Sequence, residues 1–227
     1  KDVVSKMIAG EYTAEQAYRA FNAQLLAEEA SAADEIVLTS GKGYSNVFHA
    51  NGGNASFSVM ANTLRGVYGT DVLIATANSF TGSVLQADYT KKMAISMIMP
   101  NGLMSRRRTM TGAELKETVR AFVEGCEGGF VPFNRGSLPV VSGIAVEVKE
   151  DNGGYTLTGI TRNGQPLRDD DTVTVTCLAP EKQMAALLAD ENGTSAGGDT
   201  WVKNIWRDYV LGGGAVLAEP ENYITLR

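Results

Sequence analysis

A single histidine, His49, is all the imidazole this 227-residue chain offers. Di-metal hydrolase sites and most catalytic zinc sites need several imidazoles or a dense carboxylate cluster, so this chain cannot assemble one unaided. A Ser-His-Asp arrangement lacks its usual Gly-x-Ser-x-Gly elbow, and His49 between Phe48 and Ala50 reads as a packed or surface histidine. Only two cysteines are present, Cys126 and Cys177, and no Cys-x-x-Cys pair, which excludes a zinc knuckle and leaves buried thiols or one disulfide. There is no run of about 18 apolar residues to span a membrane. Basic side chains are outnumbered 20 to 26, for a net charge of −6, so there is no general basic footprint for nucleic acid or an anionic membrane. The chain opens at Lys1 with neither an initiator methionine nor a signal peptide, and reads as a mature fragment.

What is present is ordinary globular composition, 44% hydrophobic and 20% charged, enough for one large core or one core with an attached subdomain. The organising stretch runs from Val59 to Gly125. At its centre the apolar run Val72 to Ala75 enters the small, polar, Gly-containing loop Thr76 to Ser83. Ligands are commonly held by loops of this kind at strand ends.

Upstream, residues 2–9 are expected to form a short helix stopped by Gly10. Thr13 and Gln16 then form a capping box before the stripe Ala14, Tyr18, Phe21, Leu25. Together they give a helical hairpin over residues 1–35, acting as an N-terminal segment or linker ahead of a domain spanning 36–227. Ile36 to Leu38 reads as a strand. Gly41-Lys42-Gly43 and Asn51 to Asn54 read as turns, since neither matches a phosphate-binding fingerprint. A helix from Ser56 turns Phe57, Met60, Leu64 and Val67 inward, and Asp71 to Ala75 is a strand. Thr90 caps a short helix with Met93, Met97 and Ile98 inward. The strand from Leu103 to Met110 sends Arg106 and Arg108 to one face and Arg107 to the other. A second capping box, Thr111 with Glu114, opens a helix burying Leu115, Val119 and Phe122 and closed by Gly125.

The rest is strand-rich. Ile144, Val146 and Val148 alternate with Ala145 and Glu147 in a half-buried strand, Asn152 to Gly154 and Asn163-Gly164 make turns, and Thr172 to Cys177 is a strand. Asp169 to Asp171 is a solvated turn rather than a metal motif. A helix follows Pro180, then a loop over 192–198. The last helix carries Trp201, Ile205 and Tyr209 on one stripe and ends at Gly212 to Gly214, before an extended tail.

The order of these pieces carries a resemblance. Val59 to Arg65, Gly69 to Ile74, Pro100-Asn101-Gly102, Met110 to Lys116, Val141-Ser-Gly-Ile144, Asn163 to Leu167 with Asp171 to Thr176, and Gly197-Gly-Asp199 together resemble the C-terminal domain of the 5′-nucleotidase family. The likeness runs from about Ser56 to Arg227. It implies an α+β fold, a mixed β-sheet packed with helices. It also implies a separate N-terminal metallophosphatase domain of the same polypeptide as partner. In that family two divalent metal ions and the hydrolysis belong to the N-terminal domain, while the C-terminal domain clamps a nucleoside between two phenylalanines. No cofactor is then expected in this chain. Its ligand would be a nucleoside or nucleotide, and its location extracellular or at the cell surface.

The sequence departs from the pattern where contact is made. The loop from Thr76 lacks the family's triple glycine and arginine, Asn101 stands where a clamp phenylalanine belongs, and the second clamp position falls near Ala179-Pro180. A modified pocket would use Asn78, Phe80 (or Phe130 or Phe133) for stacking, Asn101 for an amide-like edge, and Asp199 for a hydroxylated ligand or for capping the helix at Trp201. Two functions stay open: a nucleotide-recognition domain of a 5′-nucleotidase-like phosphohydrolase, or a degenerate non-catalytic module of a larger cell-surface protein.

Overall fold

The computed structural model describes residues 6, 9–11, 13, 15–17, 19–20, 35–47, 53–76, 79–98, 103–124, 139–151, 154–180, 200–221 and 223–227. In chain order the elements are β1 (Ile36–Ser40), α1 (Ala55–Tyr68), β2 (Val72–Thr76), β3 (Ala87–Thr90), α2 (Lys91–Ile95), β4 (Leu103–Thr111), α3 (Gly112–Glu124) and β5 (Pro139–Ser142). They continue with β6 (Ala145–Asp151), β7 (Gly154–Arg162), β8 (Gln165–Pro166), β9 (Thr172–Pro180), β10 (Thr200–Trp201), α4 (Val202–Leu211) and β11 (Ile224–Leu226).

The main sheet is mixed, in the order β10-β4-β9-β2-β5. Within it β2 pairs parallel to β9 and antiparallel to β5, and every residue of β2 is buried. That explains the unbroken apolar run from Val72 to Ala75, because a strand covered on both faces needs no polar alternation. A second sheet, β11-β6-β7-β8, is built on two hairpins. The β7–β8 turn uses the dihedrals expected of Asn-Gly, with Asn163 at φ 51° and Gly164 at φ 75°. A two-stranded ladder of β1 and β3 completes the α+β architecture.

Helix α1 packs on β2 and β5 and buries Phe57, Met60 and Leu64, with Val67 only half-buried. It begins one residue before the expected start because Asn54, read as part of a turn, is its cap and accepts the Phe57 N–H at 3.0 Å. Both capping boxes close reciprocally. The Gln16 and Glu114 amides donate to Thr13 and Thr111 Oγ1 at 3.2 Å, while the Thr13 and Thr111 amides donate back to the Gln16 and Glu114 side chains at 2.8 and 2.7 Å. Helix α3 buries Leu115, Val119 and Phe122 between β4 and β7, as their spacing predicts.

One expected stripe is out of phase, and another errs at a single residue while Met97 and Ile98 are buried as expected. In α2 Met93 is 40% exposed and Ala94 takes the inward place. In α4 the inward residues are Val202, Trp206 and Val210, one position later than expected, and Trp201 is left 47% exposed. Trp206 anchors α4 onto α2 by donating its indole N–H to the Ala94 carbonyl at 2.7 Å.

Candidate functional site

The register of the main sheet brings five strand termini to one end. Thr76, the last residue of β2, pairs with Pro139, the first of β5. At the same end Leu103, the first residue of β4, pairs with Pro180, the last of β9. The edge strand β10 reaches this end too, with Trp201 paired to Met104 and Thr200 to Ser105. The connections holding Asn78, Asn101 and Asp199 all leave from these termini, as does the one holding Phe130 and Phe133. The topology therefore brings one end of each connection to this sheet end, the place where open sheets present ligand loops, although Asp199 itself is joined at Thr200, the β10 residue farther from that end. Asn78, Asn101, Asp199, Phe130 and Phe133 themselves lie outside the described residues, as do Cys126, His49 and the helix expected after Pro180.

Phe80 is the one predicted contact residue inside them, and it faces the core. It is 4% exposed, bridges to Ile98, and sets its ring 5.9 Å from that of Phe57 at 42°. A ring packed this way has no free face for a base. Its loop is tied down on both sides: Thr76 and Ser79 share a hydroxyl contact at 3.2 Å, Thr81 N donates to Met97 O at 3.1 Å, and the Ser56 hydroxyl accepts the Val84 N–H at 3.0 Å while donating to Gly82 O at 3.2 Å. Residues 79–84 are thus a fixed rim.

The interior of the main sheet is closed to solvent. The Tyr68 hydroxyl is buried, and burial pushes its pKa to about 12. Cys177 is free and fully buried, its thiol pushed by the same cause to about 12, so it packs rather than reacts. On the neighbouring strand β4, Arg106 and Arg108 are half-buried and Arg107 is exposed, the expected alternation.

At the opposite end of β2 lies a polar groove of about 410 Å³ lined by Arg65, Asp71, Gly143, Arg162, Asn163 and Glu221, among others. Its charges are matched internally. Asp71 accepts from Thr174 N and Oγ1, both at 2.8 Å, and from Arg162 Nη2 at 2.7 Å. The Thr174 N–H, followed by its hydroxyl and Arg162, holds the Asp71 carboxyl below the usual carboxylate range. Arg65 donates to Ser142 Oγ at 2.8 Å and to Glu221 at 3.2 Å, and Glu221 accepts the Gly143 N–H at 3.2 Å. This network joins the two sheets to the C-terminal tail.

Among the described residues no group of three or more His, Cys, Asp or Glu is placed to hold a metal ion. The Asp169 to Asp171 turn does not fit one, because Asp169 pairs with Lys116 at 2.7 Å, Asp170 with Arg168 at 2.6 Å, and Asp171 caps the Arg168 N–H at 2.9 Å. Lys42 of the Gly-Lys-Gly turn is paired with Glu219 at 2.8 Å. No helix among the described residues is long and apolar enough to cross a membrane.

Comparison with solved structures gives a 5′-nucleotidase precursor from Thermus thermophilus with a TM-score of 0.64 at 12% identity, over 93% of this chain. The chain carries the 5′-nucleotidase fold. The NAD nucleotidase of Haemophilus influenzae superposes with a TM-score of 0.63 at 17% identity over 95% of this 5′-nucleotidase-like chain. A sulfate thiohydrolase from Thermus thermophilus, solved with glycerol, gives 0.64 at 12% over 94%. The chain spans 43%, 42% and 39% of these three neighbours respectively. No family model and no curated relative matches the sequence.

Trp201 lies outside the inward stripe in which its spacing placed it. Counting it into the inward stripe sets the wrong phase for α4, and the equally apolar spacing Val202, Trp206, Val210 was the available signal.

Proposed function

We propose that this chain is the nucleoside- or nucleotide-recognition domain of a 5′-nucleotidase-like phosphohydrolase, C-terminal in the polypeptide, whose di-metal hydrolytic site lies on a separate upstream domain. The observation that carries the reading is the pair of coverages: at least 93% of this chain matches, but at most 43% of each of the three neighbours above is used. One histidine in 227 residues supports the same division of labour, since the chain lacks the imidazoles for a di-metal site. Asn78, Asn101 and Asp199 then contribute polar contacts from connections that start at the common sheet end. An extracellular or cell-surface location goes with this reading.

A second reading, a degenerate binding or structural module, draws on two residues: Phe80 is packed into the core and Asn101 stands at a clamp position. Stacking on an aromatic is worth about 1–3 kcal/mol per base, so missing rings weaken nucleoside binding by orders of magnitude unless another ring serves.

Two measurements separate the readings. The parent polypeptide should carry Asp-x-His and Gly-Asn-His-Asp/Glu metal motifs upstream and release phosphate from nucleoside monophosphates in the presence of divalent ions. Thermal unfolding of this domain with nucleosides at 100 times Kd should show stabilisation of about 2.7 kcal/mol, a rise on the order of 5–10 °C. An upstream sequence without those motifs, and no shift at millimolar nucleoside, would sink the first reading.

A further inference from the structure

The chain has two tryptophans, and the fold treats them oppositely. Trp206 is fully buried and hydrogen-bonded to the α2 backbone, whereas Trp201, five residues earlier, is 47% exposed. The other exposed large hydrophobics, such as Ile36, Leu85 and Val216, are aliphatic side chains or methionine, so Trp201 is the one exposed aromatic among them in the described residues. Its backbone is held firmly: it pairs with Met104 on β4, and the next residue, Val202, is wholly buried as the first turn of α4.

The register fixes where the indole stands. Trp201 is opposite Met104, and Met104 is opposite Ala179, so these three side chains occupy one row across β10, β4 and β9 on the same face. With strands about 4.8 Å apart, Trp201 is roughly 10 Å from Ala179. Leu103 and Pro180, the outermost pair of β4 and β9, come directly after that row. An indole standing half clear of the surface from two anchored backbone positions is a preformed aromatic face, with only two side-chain torsions to order on binding.

We propose that Trp201 is the stacking platform for the planar ring of the ligand bound at this sheet end, and hence a residue that sets affinity for nucleobases. The assignment rests on the nucleoside-recognition reading and supplies the ring that Phe80, turned into the core, does not. Sugar and phosphate groups would contribute binding without it; the base would not.

The test is calorimetric titration of the domain with adenosine and uridine, and with ribose as the base-free control, for wild type, Trp201→Ala and Trp201→Phe. Stacking of about 1–3 kcal/mol corresponds to a 5- to 150-fold loss of nucleoside affinity in Trp201→Ala, with most of it restored in Trp201→Phe and ribose binding unchanged. Adenosine should also quench the emission of wild type and of Trp206→Phe, but not of Trp201→Phe, whose only indole is the buried Trp206. Should Trp201→Ala bind adenosine as wild type does, or Trp201→Phe be quenched equally, Trp201 is not the platform while nucleoside recognition stands. Failure of wild type to bind either nucleoside overturns both.

Discussion

Gly143 offers a quantitative check on how rigidly the two sheets are joined. It sits between β5 and β6 with φ 83°, in the left-handed region, and a Cβ built there would stand 2.0 Å from the Asp71 carbonyl oxygen and 3.1 Å from its carbon. Replacement by alanine therefore meets two separate costs. The dihedral alone disfavours an L side chain by about 1–2 kcal/mol. The contact is with backbone at the start of β2, a strand buried along its length, so relief requires moving Asp71 away from Thr174 and Arg162 or Gly143 away from Glu221. Overpacking of that kind costs about 1–3 kcal/mol. The sum predicts that Gly143→Ala loses about 2–5 kcal/mol, a fall in Tm on the order of 10 °C for a chain of this size. Urea unfolding followed by circular dichroism measures it, with the slope m unchanged if only the folded state is affected. Gly82→Ala is the internal control: it has φ 60° and open space around its Cβ, so it should lose only the dihedral part. Equal losses at the two glycines would refute the argument, since the sheet junction would then yield freely.

Gly66 makes the opposite prediction. It lies exposed inside α1, nothing is within 4 Å of an added Cβ, and its φ is not positive, so Gly66→Ala should stabilise the chain by about 0.5–1 kcal/mol in the same urea assay. The third prediction concerns acid. The Asp71 carboxyl has its folded pKa lowered, so its contribution is present above the unfolded carboxylate pKa and is lost as pH falls through the folded value. Part of wild-type stability should therefore disappear below about pH 4, and that part of the slope should be reduced in Asp71→Asn. Solvent reaches 37% of the Asp71 side chain and screens the effect, so stability-versus-pH curves for the two proteins should differ in slope there rather than by a large offset.

Much of the fold was legible because its signals are local. Reciprocal capping at Thr13–Gln16 and Thr111–Glu114 needs only residues three apart, and Asn163-Gly164 encodes its own turn. The unbroken apolar run of β2 announced burial on both faces. What failed was phase. Trp201, Ile205 and Tyr209 and the alternative Val202, Trp206 and Val210 are both apolar at a spacing of four, and only docking against α2 through Trp206 chooses between them. Met93 and Ala94 were exchanged for the same reason, because larger and more apolar is not the same as inward. Of the candidate contacts, Phe80 was misjudged because its loop's composition looks open, while the bonds that close it come from Ser56, Ser96 and Met97, remote in sequence.

The two ends of the main sheet differ in a way that bears on function. At the start of β2 every described charge in the groove has a partner, and Gly143 is sterically confined against Asp71. A network so closed has little left to offer a ligand. At the other end β2, β4, β5, β9 and β10 terminate together, and the side chain left without cover in the row across β10, β4 and β9 is the Trp201 ring. Solved proteins named for nucleotidase and thiohydrolase activities share this fold, so the framework itself does not select a substrate. On the proposed recognition reading, selection falls to what the framework presents at its open end. By that argument a change at Trp201 should alter which ligands bind while leaving stability nearly untouched, and a change at Gly143 should do the reverse.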